Sequence, residues 1–130
     1  MRQVTVEWAD GAFAQDITVA GHRIRADEEM EKGGADTGAA PHELLLSALG
    51  SCTAMTLKVY AERKGWPLRD VRVLLSGAHV EGRFVITRTL QLDGELDAEQ
   101  RQRLIEIADR CPVHKTLTNQ IVINTTAGRT

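Results

Sequence analysis

The sequence lacks an uninterrupted apolar run long enough for a membrane span or an export signal. Its longest stretch without a charged residue, Leu44–Leu57, contains Ser47, Gly50 and Ser51 and is shorter than the ~20 residues that a spanning helix needs. The N-terminal residues MRQVTVEWAD lack the apolar core of a secretory signal. We therefore expect a cytoplasmic protein with no membrane partner.

Excess positive charge is also absent. The chain has 16 lysine and arginine residues against 18 aspartate and glutamate residues, which gives a formal net charge of −2 at pH 7. Nucleic-acid-binding proteins need basic residues to neutralise phosphates, so we expect no nucleic-acid partner. The length of 130 residues and the hydrophobic content of 42% are typical of one globular domain, expected over residues 1–130.

Cysteine is scarce, because Cys52 and Cys111 are the only two in the chain. A disulfide-stabilised scaffold needs more cysteines and an oxidising compartment. Three interpretations remain open at this point: two core residues, a metal-binding pair or a redox pair.

The N-terminal part predicts a small antiparallel sheet. Apolar and polar residues alternate from Val4 to Trp8, and Asp10-Gly11 supplies a hairpin turn. Further strands are predicted over Phe13–Val19 and His22–Ala26. The glycine-rich and acidic residues 27–40 then predict a loop.

A long helix is predicted over Pro41–Lys64. Proline suits a first helical position, and Gly65 and Pro67 mark the end. Around Leu44–Leu49 the apolar arc spans about 200°, wider than the ~100° stripe of a surface helix. We therefore expect this helix to be buried on more than one side, with a second copy of the chain covering part of it. The Leu44–Leu49 stretch would lie at or near the interface of a homodimer.

The C-terminal half predicts a hairpin, a helix and a last strand. The hairpin strands are Val71–His79 and Phe84–Leu92. Asp97 is a good N-cap for the next helix, and Gln100 completes a capping-box pattern. Alternation over Ile121–Thr125 predicts a final strand. The chain is therefore expected to belong to the α+β class.

Each cysteine allows a structural and a chemical interpretation. Cys52 falls in the middle of the apolar stripe of the long helix, where an inert core cysteine and a thiol activated by a nearby cation are both possible. Cys111 precedes Pro112, so a helical turn beginning there would favour its thiolate, whereas a buried position beside Leu104 and Ile107 would be inert.

Metal binding is a further possibility. Cys111 and His114 form a Cys-x-x-His unit that could bind zinc with Cys52 and one more ligand. Only one half-site is present, however, so we expect no metal. His22 and His79 fall in predicted strands and are expected at the surface.

Two stretches of the sequence resemble the OsmC/Ohr family, the osmotically inducible protein C and organic hydroperoxide resistance proteins. They are Lys32–Met55, KGGADTGAAPHELLLSALGSCTAM, and Cys111–His114, CPVH. The resemblance implies an OsmC-like α+β fold, in which antiparallel sheets pack around long central helices in an intertwined homodimer.

The resemblance also implies a function, a thiol-dependent peroxidase. Cys52 would attack an organic hydroperoxide or hydrogen peroxide, and Cys111 would resolve the resulting sulfenic acid as a disulfide. An external dithiol reductant, such as a lipoylated protein, would restore the thiols, and no bound cofactor is expected. The alternative is a non-enzymatic OsmC-like protein that binds a hydrophobic ligand or senses redox state.

The expected assisting residues depart from the pattern of hydroperoxide-reducing members. Those members carry glutamate directly after the helix's proline; here that position is His42 and the glutamate follows at Glu43. Their N-terminal arginine matches no motif here, and Arg23 and Arg25 are the candidates. These two share one strand face, which would be solvated unless one of them stabilises a Cys52 thiolate.

The distance along the helix bears on how His42 and Glu43 could assist. In a continuous helix they lie roughly 14–15 Å from Cys52 along the axis, which no side chain spans. Either the helix begins later, or these residues reach the Cys52 of the other subunit. We expect the second arrangement, a composite site.

Overall fold

The computed structural model describes residues 1–129 and has an α+β architecture. The chain forms two compact units, divided between Ser47 and Ala48. Its elements, in chain order, are β1 Thr5–Asp10, β2 Ala14–Val19, β3 His22–Ala26, a 3₁₀ turn Met30–Lys32, α1 Pro41–Lys64, β4 Leu68–Val80, β5 Arg83–Gly94, α2 Ala98–Ala108 and α3 Pro112–Thr118.

The N-terminal unit contains the predicted three-stranded sheet, in the order β1-β2-β3. Both pairs are antiparallel, with Glu7 opposite Asp16 and Ile17 opposite Ile24. Gly11 adopts a φ of 62° at the first turn, a conformation that glycine enters without steric cost. The meander predicted from the sequence is confirmed.

A buried carboxylate organises the loop after β3. Asp27 accepts hydrogen bonds from the Thr37 hydroxyl at 2.6 Å, the Glu28 N–H at 2.7 Å and the Thr37 N–H at 3.1 Å. These donors, the Thr37 hydroxyl foremost, lower the pKa of Asp27 to about 2. A Cβ at Gly34 would clash with the Glu28 carbonyl, so the loop also requires glycine there.

Helix α1 has the predicted bounds. At its C-terminus Gly65 has a φ of 69°, Trp66 N–H donates to the Ala61 carbonyl at 2.9 Å and Gly65 N–H to the Glu62 carbonyl at 3.1 Å. These bonds form a Schellman motif, which satisfies carbonyls that the helix leaves unpaired.

The buried face of α1 differs from the predicted one. The buried positions are Leu49, Gly50, Thr53, Leu57 and Ala61. Cys52 was expected in the middle of the apolar stripe, but it is half-buried, and its helix neighbours Met55 and Val59 are 67% and 48% exposed. At about 100° per residue, Thr53 and Leu57 point roughly 100° and 140° away from Cys52, and that side meets the rest of the C-terminal unit. Within one chain, much of the broad apolar arc therefore stays uncovered.

By length and composition alone, α1 could cross a membrane, although only 22% of its most apolar window is buried. A single helix of this kind is weak support for a membrane span, because the core helix of a soluble protein meets the same criteria.

The C-terminal unit is built around the core between α1 and α2. Leu57, Ala61, Leu104, Ile107 and Ala108 form the buried cluster. Partly buried side chains pack against it from α1, the β4–β5 hairpin and the adjoining loops: Tyr60, Trp66, Leu68, Val71, Leu90, Leu92 and Leu96.

The β4–β5 hairpin is confirmed, and each strand is longer than predicted. Glu81 and Gly82 have φ angles of 49° and 78°, the pair of positive values that a two-residue type I′ turn requires. In the antiparallel register Leu75 lies opposite Arg88.

The capping box of α2 is confirmed. Gln100 N–H donates to the Asp97 carboxylate at 2.8 Å, and Asp97 N–H donates to the Gln100 side-chain oxygen at 3.0 Å. Helix α3 begins directly after Cys111, with Pro112 in its first turn.

The predicted final strand is wrong. Residues 121–125 form no strand in the described chain, and Ile121, Val122 and Ile123 are exposed. Alternating apolar residues favour a strand only where a neighbouring strand supplies hydrogen bonds, and none pairs with this segment among residues 1–129.

Candidate active site

Cys52 lies in an open groove of the C-terminal unit. The groove has a volume of about 560 Å³ and is formed by the exposed side of α1, the end of α2 and the start of α3. Its lining is Cys52, Met55, Thr56, Val59, Tyr60, Arg63, Ile107, Arg110 and Pro112. The thiol is therefore accessible from a largely apolar surface that also carries two guanidinium groups.

Cys111 is fully buried. It directly precedes Pro112, which lines the groove. It is the N-cap residue of α3, and its Sγ accepts a hydrogen bond from the His114 N–H at 3.3 Å. The Sγ also lies 3.8 Å from the Thr53 hydroxyl. Both cysteines are free, and Pro112 brings the Cys111 segment to the groove that Cys52 lines.

Arg88 joins the surroundings of Cys111 to the protein surface. Its Nη1 donates to Thr53 Oγ1 at 3.1 Å, and its Nη2 donates to Asp109 Oδ1 at 2.9 Å. Nη2 also lies 3.2 Å from His114 Nδ1. Since a guanidinium can only donate, Nδ1 must accept in this contact, which places the proton of a neutral His114 ring on Nε2.

Sequence reasoning missed Thr53, Arg88 and Asp109. One signal was present in β5, where Phe84, Ile86, Leu90 and Leu92 share one strand face with Arg88. A lone arginine in an apolar register indicates a buried, partnered charge.

The two residues of the Cys-x-x-His unit make separate contacts in the structure. The Cys111 sulfur accepts the backbone N–H of His114, and the imidazole ring contacts Arg88. Among residues 1–129 there is no group of three or more histidine, cysteine, aspartate or glutamate side chains that could hold a metal ion.

Comparison with known families identifies the chain. The family model described as OsmC-like protein matches residues 33–126, which include both cysteines. The chain belongs to the OsmC-like protein family. No curated protein sequence matches it.

Solved structures of OsmC-like proteins share the fold. The OsmC-like protein of Mycoplasma pneumoniae is 19% identical, with 90% of this chain and 86% of that one covered and a TM-score of 0.77. The organic hydroperoxide resistance protein OhrB of Bacillus subtilis is 24% identical, with 91% and 90% covered and a TM-score of 0.64. The organic hydroperoxide resistance protein OsmC of Legionella pneumophila is 20% identical, with 89% of each chain covered and a TM-score of 0.62. Two of these structural neighbours are thus named as organic hydroperoxide resistance proteins.

The assisting residues suggested for this OsmC-like chain make contacts of their own in the N-terminal unit. Arg25 donates to Asp10 at 2.6 Å and to the Thr37 hydroxyl at 2.9 Å, whereas exposed Arg23 lies 3.5 Å from Asp16. An action of either arginine on Cys52 stays a prediction.

The two residues after Pro41 differ in their surroundings. The Glu43 carboxylate accepts the Ala40 N–H at 2.8 Å at the start of α1, and His42 is exposed. Helix α1 is continuous from Pro41 to Lys64, as the composite-site argument requires.

Proposed function

We propose that this OsmC-like chain is a thiol-dependent peroxidase that reduces organic hydroperoxides or hydrogen peroxide. The observation that carries the proposal is the groove lined by both Cys52 and Pro112, the neighbour of Cys111. An accessible thiol and a second thiol on the adjoining segment are what a two-cysteine peroxidase needs. Membership of the OsmC-like family and structural similarity to proteins named as organic hydroperoxide resistance proteins support the same reaction.

The reaction would proceed in three steps. The Cys52 thiol gives up its proton, and the thiolate attacks the hydroperoxide so that an S–O bond forms and the O–O bond breaks. The departing oxygen takes up that proton and leaves as an alcohol or water, and Cys52 becomes a sulfenic acid. The Cys111 thiol condenses with it, forming the disulfide and releasing water. An external dithiol, such as a lipoyl group on a partner protein, then reduces the disulfide by exchange. No bound cofactor takes part.

The two thiols suit different steps. Half-buried Cys52 faces a groove in which Met55, Val59 and Ile107 can contact the apolar part of an organic hydroperoxide. Buried Cys111 is shielded from peroxide in bulk water, which suits a resolving thiol.

A cytoplasmic homodimer completes the proposal. The exposed apolar side chains of α1, together with Ile121, Val122 and Ile123, would be covered by a second copy of the chain. His42 or Glu43 of one subunit would then assist the Cys52 of the other.

The apolar lining of the groove also favours a second candidate, the binding of a hydrophobic ligand, with the thiols sensing redox state. In that case ligand binding would survive Cys52→Ser, and the wild-type protein would show no catalytic turnover of peroxide with a dithiol.

Peroxide consumption tests the proposal directly. We expect wild-type protein with a dithiol to consume cumene hydroperoxide catalytically, and Cys52→Ser to lose all turnover above the dithiol background. In Cys111→Ser, dimedone should trap Cys52 as sulfenic acid. After mild oxidation of the wild type, non-reducing peptide mapping should find a Cys52–Cys111 peptide. Retained turnover in Cys52→Ser would contradict the assignment of the nucleophile.

A further inference from the structure

Arg88 is a nearly buried charge whose inward contact leads toward Cys111. Its side chain is only 12% exposed, whereas its ion-pair partner Asp109 is 68% exposed. A buried guanidinium is costly unless it is paired and hydrogen-bonded. Asp109 balances the charge from the solvent side, while Nη1 points inward to the Thr53 hydroxyl at 3.1 Å.

The hydrogen bonds of Thr53 determine how its hydroxyl meets the sulfur. A threonine hydroxyl has one hydrogen to donate and two lone pairs to accept with. Its hydrogen goes to the Leu49 carbonyl at 2.7 Å, and Arg88 donates to one lone pair. The Cys111 thiol, 3.8 Å away, can therefore donate its S–H to the other lone pair.

When Cys111 loses its proton, the hydrogen bond between the Thr53 hydroxyl and the Cys111 sulfur can reverse its direction. A thiolate only accepts, and it already has the His114 N–H at 3.3 Å. The Leu49 carbonyl lies inside α1 and accepts the helical N–H of Thr53, so it does not depend on the hydroxyl. The Thr53 hydroxyl can turn its hydrogen to the sulfur while Arg88 continues to donate to the oxygen.

We propose that Arg88 and Thr53 are positioning residues for the resolving thiol. Arg88 holds the Thr53 hydroxyl against the Cys111 Sγ, where it accepts from the thiol and donates to the thiolate as the sulfur attacks oxidised Cys52. This inference rests on the proposed function. In that step the Sγ–Sγ bond forms, the S–O bond of the Cys52 sulfenic acid breaks, and the hydroxide leaves with the Cys111 proton as water.

A mixed disulfide tests the inference without peroxide. Ellman's reagent would load the accessible Cys52 with 5-thio-2-nitrobenzoate, and attack by Cys111 would release this coloured thiol and form the Cys52–Cys111 disulfide. Thr53→Val keeps the side-chain shape but loses the hydroxyl, and we expect release to slow about 10- to 100-fold, as for the loss of a hydrogen bond to a charged group. Thr53→Ser should restore release to near the wild-type rate.

The arginine is tested in the same assay. Arg88→Met should slow release, Arg88→Lys should restore part of it, and Arg88→Met combined with Thr53→Val should be no slower than Thr53→Val alone. Arg69→Met is the matched control, because Arg69 lies on β4 of the same hairpin in an exposed ion pair with Asp93. Loading of Cys52 should proceed at the wild-type rate in every variant.

Three results would overturn the inference. The first is release of the coloured thiol at the wild-type rate in Thr53→Val. The second is equally slow release in Thr53→Ser and Thr53→Val, and the third is no release from the wild-type protein. A wild type that releases the coloured thiol but consumes no hydroperoxide would instead reject the proposed function and leave the roles of Arg88 and Thr53 supported. Cys111→Ser, which has no attacking thiol, sets the background rate.

Discussion

Replacing Leu57 by alanine tests the core that holds α1 against α2. Leu57 is 0% exposed and belongs to the buried cluster with Ala61, Leu104, Ile107 and Ala108. Buried Leu→Ala substitutions cost about 2–5 kcal/mol, because transfer free energy is lost and a cavity remains. We expect about 3 kcal/mol for Leu57→Ala, since its neighbours come from two helices that can collapse only partly into the space.

The expected change in melting temperature follows from the chain length. For 130 residues the entropy of unfolding near 60 °C is about 0.27 kcal/mol/K, so a loss of about 3 kcal/mol lowers Tm by roughly 11 °C. Thermal and urea unfolding followed by circular dichroism would measure both quantities. Lys58→Ala, an exposed neighbour on the same helix, is the control and should change stability by less than about 0.5 kcal/mol. A loss below about 1 kcal/mol for Leu57→Ala would refute the assigned core.

Three further predictions concern the N-terminal unit and the second copy of the chain. Because the pKa of Asp27 is lowered from 3.8 to about 2, its carboxylate stabilises the fold above about pH 4 and stops doing so as the pH falls toward 2. Asp27→Asn should therefore melt below the wild type at pH 7, with a gap that narrows between about pH 4 and pH 2; a gap independent of pH would contradict this. Sedimentation should find a wild-type dimer at micromolar concentration and a monomer for Met55→Glu, and a wild-type monomer would show the dimer to be wrong. A mixed dimer of a Cys52→Ser chain with a His42→Ala, Glu43→Ala chain should regain part of the peroxidase activity; activity no higher than in the separate variants would exclude a composite site.

Sequence determined the elements whose ends depend on local geometry. Helix α1 begins at Pro41 because proline's missing N–H would be unpaired there, and it ends at Gly65 because that position needs a positive φ. The capping box of Asp97 and Gln100 joins residues three positions apart, so the sequence predicts it without any tertiary contact. The family could be predicted as well, because the stretches around Cys52 and Cys111 resemble it, and the family model matches residues 33–126.

Only the tertiary structure decided which face of α1 is buried. An apolar arc of about 200° fits burial in several directions, and the choice depends on where the β4–β5 hairpin and α2 pack. Their packing buried Thr53 and Leu57 and left Cys52 half-buried beside exposed Met55 and Val59. The prediction of a final strand was wrong for a related reason, because a strand needs a hydrogen-bonding neighbour that no local pattern supplies.

The contacts of Cys111 likewise could not be predicted from the sequence. Thr53, Arg88 and Asp109 lie on three different elements or their ends, and their hydrogen bonds exist only once those elements have packed. The sequence could place a cysteine before a helix-starting proline, because that depends on neighbouring residues. Which side chains meet its sulfur depends on contacts between residues as far as 58 positions apart, and those are fixed by the packing of the fold.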